Sequence, residues 1–140
     1  MKKEIMIKVV GRQKNIEGEE NTIELTTEGT VYTKNDNTYI VYKESEISGM
    51  EGTTTSLKIE DGRKITMKRY GETTSSLVFE NNKINKSDYS TAYGNFEIEI
   101  LTSLLNVNIK EEKRKSKIEI KYHLVIPGFV ESENRLLVTF

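Results

Sequence analysis

Apolar and polar residues alternate along most of this chain, in short runs separated by turn-forming pairs and triplets. Residues 4–12 place Ile5, Ile7 and Val9 on one face and Met6, Lys8 and Val10 on the other. Residues 22–32 set Ile23, Leu25, Thr27, Gly29 and Val31 against Glu24, Thr26, Glu28 and Thr30. A period of two marks a half-buried strand, because successive side chains leave opposite faces of the pleat. Gly29 stands on the apolar side, where a missing side chain permits the sharp bend that barrel strands need.

The same period continues through Ile40, Tyr42 and Glu44, then Thr55, Leu57 and Ile59, then Ile65, Met67 and Arg69. Asn35-Asp36-Asn37, Asp61-Gly62, Tyr70-Gly71 and Asn81-Asn82 punctuate the runs, and Asp-Gly is the strongest hairpin signal because both residues tolerate positive φ. Residues 95–109 read two ways. Phe96, Ile98, Ile100, Thr102 and Leu104 alternate as in a long strand, whereas Ile100, Leu101, Leu104 and Leu105 also fit a helical stripe. Their β-branched content and alternating glutamates favour the strand. Ile118, Ile120, Tyr122, Leu124 and Ile126 form a further set, ended by Pro127-Gly128, and Leu136, Val138 and Phe140 close the chain.

Roughly nine or ten sequential strands with short connections, and no defensible helix, predict an all-β protein. Edges are a hazard in such a meander, and closure removes them. The reading is therefore one domain spanning residues 1–140, an antiparallel up-and-down β-barrel of about eight to ten strands. A two-sheet sandwich is the runner-up.

Composition narrows the chemistry. The 140 residues contain no cysteine and one histidine, which removes disulfides, thiolate catalysis and Cys-based zinc sites. No metal and no cofactor are expected. The 21 basic and 22 acidic residues balance, so the basic excess typical of nucleic-acid binders is missing. Residues 110–117 are the best basic run, with Lys113-Arg114-Lys115 at its centre, but Glu111 and Glu112 sit inside it and it reads as a solvated hairpin loop rather than a phosphate-binding patch. No stretch approaches the roughly 20 apolar residues of a spanning helix. A cytoplasmic setting with no membrane or nucleic-acid partner is expected.

Strand phase locates the polar exceptions. Arg69 belongs to the apolar set of Ile65 and Met67, and Glu44 to that of Ile40 and Tyr42. If those faces point inward, both charges are buried, and desolvation requires them to be paired or hydrogen-bonded. Such groups can anchor the polar head of a ligand or form an internal ion pair. Tyr42, Tyr89 and Tyr122 fall within strand-like runs and either line a pocket or pack across strands. His123 is out of phase with Tyr122 and Leu124, so it points outward, and no spacing supplies it with a nucleophile or an orienting carboxylate. No catalytic residue is indicated.

Several phrases carry a family resemblance: Tyr42-x-Glu44; Gly49-Met50-Glu51-Gly52 leading to Thr55-Ser56-Leu57-Lys58; Arg69-x-Gly71; Tyr89-x-Thr91-x-Tyr93-Gly94; Tyr122-x-Leu124; and Asn134-x-Leu136. Their order resembles the YwiB-like bacterial family, small proteins of unknown function with a calycin-like (lipocalin-like) β-barrel. The resemblance implies a barrel and a bacterial cytoplasmic setting, and it transfers no catalytic residue. Fold alone does not fix function. The expectation is non-enzymatic binding of a small, partly apolar ligand, with Tyr42, Glu44, Arg69, Tyr89 and Tyr122 at the site. The alternative is a homodimer or other interaction module with a packed interior, meeting its partner through Met6, Val10 or Tyr39.

Overall fold

A computed structural model describes residues 2–45, 51–71, 74–91, 94–110 and 115–140, the side chains of 89–91 excepted. Its ten strands are β1 (Lys2–Asn15), β2 (Glu20–Lys34), β3 (Asn37–Lys43), β4 (Thr54–Glu60), β5 (Lys64–Tyr70), β6 (Thr74–Glu80), β7 (Ile84–Thr91), β8 (Gly94–Asn108), β9 (Lys117–Ile126) and β10 (Val130–Thr139). Each strand pairs antiparallel with its sequence neighbour, and β1 pairs with β10 to close the barrel. The expected up-and-down barrel is the architecture, and the sandwich is not. No described helix is long and apolar enough to cross a membrane.

Turn chemistry fixes the lower end, where β2–β3, β4–β5 and β6–β7 are joined. Asn35 and Asp36 both have positive φ, as do Asp61 and Gly62, the backbone that tight hairpins between right-twisted strands demand. Asn82 also has positive φ, and its N–H donates to the Thr102 carbonyl at 2.8 Å. Thr102 N–H in turn donates to Lys83 at 3.2 Å, so this turn leans onto β8. Pairing between β6 and β7 is confined to Thr74↔Ser90 and Ser75↔Tyr89 among the described residues. Six or more residue pairs join every other neighbouring couple.

The phases read from sequence hold for most strands. Ile7, Ile40, Leu57, Ile65, Met67, Phe79, Ile100, Ile118, Ile120 and Val138 are buried and belong to one core cluster. The region expected at 95–109 is a strand, Gly94–Asn108, but its phase changes at an irregularity between Thr102 and Leu104. Beyond it Leu105 and Val107, rather than Leu104, pack against the core. A bulge adds one residue to one strand and so reverses which side chains point inward. That reversal produced the adjacent leucines that looked helical. The last strand begins at Val130, earlier than its apolar set suggests.

Gly29 opposes Tyr42 in the β2–β3 register. A Cβ there would lie 2.3 Å from Ile7 Cδ1, 2.7 Å from the Val41 carbonyl oxygen and 3.2 Å from Tyr42 Cβ. Its missing side chain is thus occupied space: it admits Ile7 to the core and lets Tyr42 stand inward.

Candidate functional site

At the upper end of the barrel the inward face turns polar. The register runs Gly29↔Tyr42↔Thr55↔Arg69↔Ser75↔Tyr89↔Phe96 across seven consecutive strands, β2 to β8. Directly opposed residues share a face, so this row brings Tyr42, Arg69 and the backbone position of Tyr89 to one level of the interior. The side chain of Tyr89 lies outside the described residues, as do residues 46–50 and 111–114, with most of the basic run.

Glu44 continues β3 by one step, its N–H donating to the Thr53 carbonyl at 2.8 Å. Its carboxylate is buried, and Oε1 accepts a hydrogen bond from the Thr55 hydroxyl at 2.8 Å. Tyr42 is buried beside it, and its hydroxyl has no partner at hydrogen-bonding geometry. Burial first, and the nearby Glu44 charge second, hold the Tyr42 phenol well above the usual tyrosine range, against an opposing pull from Arg69. Tyr122 is raised for the same leading reason, burial, again with Arg69 pulling down. The Arg69 charge thus acts on both phenols.

Arg69 departs from the expected pairing. It forms no ion pair among the described residues, and its Nε is buried without a hydrogen-bond partner. Its immediate cross-strand neighbours are Thr55 and Ser75, both buried and both short. Glu44 and Arg69 are thus both inward, but they are not an internal salt bridge. Below them the ring of Tyr122 meets that of Phe79 at 4.8 Å and 57°. These rings come from β9 and β6, so the contact crosses the barrel and makes a floor. On the far side of the interior, Asn134 Nδ2 donates to the Ser132 hydroxyl at 2.9 Å and to its carbonyl at 3.1 Å. Phe96 packs edge-on against Phe129 of the β9–β10 turn, with centroids 4.9 Å apart.

Four of the five expected site residues have described side chains: Tyr42, Glu44 and Arg69 stand at the upper interior, and Tyr122 lies below them on Phe79. Thr55 and Ser75 complete the set. Both are in phase with apolar neighbours, Thr55 with Leu57 and Ser75 with Leu77, and that phase is the signal that could have found them.

His123 does point outward, but it is not alone. Glu133 stands directly opposite it in the β9–β10 register, and Nδ1 lies 2.5 Å from that carboxylate. Nε2 lies 3.0 Å from Glu131, two residues along the same face. The hydrogen bond to Glu133, opposed only by modest desolvation, raises the imidazole above its ordinary value, with Glu131 adding to it. Among the described residues no cluster of three or more His, Cys, Asp or Glu could hold a metal ion. Of the outward residues proposed for a partner, Met6 is exposed, Val10 is half-buried, and Tyr39 stacks on Tyr32 with centroids 4.9 Å apart.

Comparison with known proteins supports the same architecture. The crystal structure of the ywiB protein from Bacillus subtilis superimposes with a TM-score of 0.82 and covers 99% of this chain and 90% of that one. The two sequences are 20% identical, so the likeness concerns the fold. No curated protein matches the chain. A family model described as a domain of unknown function, DUF1934, matches residues 7–138. The chain belongs to this family, and the YwiB-like resemblance in its sequence is the trace of that membership.

Proposed function

We propose that this protein binds a small, partly apolar molecule at the upper end of its barrel, without acting on it chemically. Tyr42, Glu44 and Arg69 form the polar end of the site, and the Tyr122–Phe79 contact is its floor. The observation that carries this reading is Arg69. A guanidinium cannot shed its proton inside a protein, and a buried donor without an acceptor costs about 1–3 kcal/mol or more. Folds retain such a cost where it serves binding, and a mostly apolar cavity with a few convergent polar groups is the usual form of a ligand site. A binding role is favoured over catalysis because the one imidazole stands on the outer face, away from the phenols and the carboxylate. A bacterial cytoplasmic setting is part of the same proposal.

Native mass spectrometry of gently purified protein tests it. The expected spectrum contains a species heavier than the polypeptide, lost in the Arg69→Met variant. Bare polypeptide in every preparation, together with no ligand-induced change at Tyr42 or Arg69, would sink the idea.

A further inference from the structure

We infer that the molecule held at this site is a small organic acid whose carboxylate is taken by Arg69. The inference rests on the binding reading above and adds the chemical class. Its basis is an imbalance between donors and acceptors. Among the described residues, the buried side-chain atoms without a partner are the Tyr42 hydroxyl, Arg69 Nε, Asn85 Nδ2 and the Thr102 hydroxyl. Asn85 and Thr102 lie toward the lower turn, so at the site itself the unpartnered atom that can only donate is Arg69 Nε. The carboxylate within the cluster, on Glu44, already accepts from Thr55. What Arg69 Nε lacks among the described residues is an acceptor.

The requirement is sharpest at Arg69. Its cross-strand neighbours Thr55 and Ser75 carry one hydroxyl each, and neither bonds to its Nε. A carboxylate offers two oxygens with about four lone-pair directions, matches the planar fork of an arginine, and brings the charge that offsets its desolvation. Tyr42 stands one strand beyond Thr55 in the same row, with its hydroxyl beside Thr55 and Glu44. A neutral amide provides a single acceptor and adds donors to a site already rich in them. An amine would meet the guanidinium as a like charge and could pair only with Glu44, whose Oε1 already accepts from Thr55. The Tyr122–Phe79 rings give the rest of the molecule an apolar surface to meet.

Three matched probes separate these chemistries: phenylacetate, phenylacetamide and phenethylamine, titrated into the full-length 15N-labelled protein and followed by amide chemical shifts. Phenylacetate is expected to shift the amides around Tyr42, Thr55, Arg69 and Ser75, and to bind at least about tenfold more tightly than the amide. Phenethylamine is expected to leave them unmoved. Arg69→Lys keeps the charge but loses the fork, and should weaken phenylacetate about tenfold while the spectrum stays folded. Arg69→Met should abolish binding, and Lys83→Met on the exterior should not affect it. If the amide or the amine shifts the same amides as tightly as the acid, the acid class is wrong and the binding reading stands. If none of the three shifts them up to its solubility limit, both fall.

Discussion

His123 lies between two carboxylates on the outer face, with its Nδ1 on Glu133 and its Nε2 on Glu131. With both ring nitrogens facing acceptors, the doubly protonated ring is the form the fold favours. Its pKa is raised on folding, so its contribution to stability is complete below the unfolded value of about 6.5 and is lost as pH rises through the folded value. Urea unfolding of the wild type and His123→Gln across this range should show a difference that is largest at the acid end and shrinks with rising pH. A difference that stays constant with pH would show that the two carboxylates do not govern the imidazole. The interaction is partly exposed and therefore modest in size. The outward direction of His123 was legible from its phase against Tyr122 and Leu124. Its partners were not, because Glu131 and Glu133 reach it only through the β9–β10 register. Glu44 and Arg69 show the same limit: phase turned both inward, but which polar group each meets was settled between strands.

Element pairing is uneven around the barrel, and the β6–β7 seam is its weak point. Only Thr74↔Ser90 and Ser75↔Tyr89 join these strands among the described residues, because the Asn81-Asn82 turn is tied to Thr102 of β8. The β6 amides directed at β7, and the β7 amides directed at β6, lack a ladder partner over the lower part of the seam. Hydrogen exchange should therefore be faster for these amides than for those of the same strands that face β5 and β8. Equal protection on the two edges of β6 would count against an open seam. The strands themselves were readable from sequence, as were the hairpins at Asp36, Asp61 and Asn82, whose positive φ follows from their turn residues. The bulge near Thr102 was not readable: its Leu104-Leu105 doublet supports a helical stripe as well as a phase change, and only pairing with Lys121 and Ile120 distinguishes them. The weak seam left no trace in the apolar pattern, since period two reports faces and not partners.

Closure is a property of the whole molecule. β1 and β10 join the ends of the chain through eight residue pairs, from Lys8↔Thr139 to Asn15↔Ser132. This one pairing removes the two edges that a ten-strand meander would otherwise expose. It also delivers Leu136 and Val138 to the core beside Val9 and Ile120. Removal of residues 130–140 should leave β1 and β9 as open edges and abolish the cooperative thermal transition. A truncated chain that still melts sharply would place the source of cooperativity elsewhere. By itself the sequence determined the all-β class, the number of strands to within one, the inward face of most of them, and the charged exceptions at Glu44 and Arg69. Each of these follows from local periodicity and turn chemistry, which neighbouring residues carry. Tertiary structure alone decided that Arg69 stands between Thr55 and Ser75 with no ion-pair partner among the described residues, that Tyr122 crosses the interior to Phe79, and that β6 and β7 share only two residue pairs among the described residues. Those outcomes depend on register and closure, where residues far apart in the chain meet, and alternation along one strand carries no record of its partner.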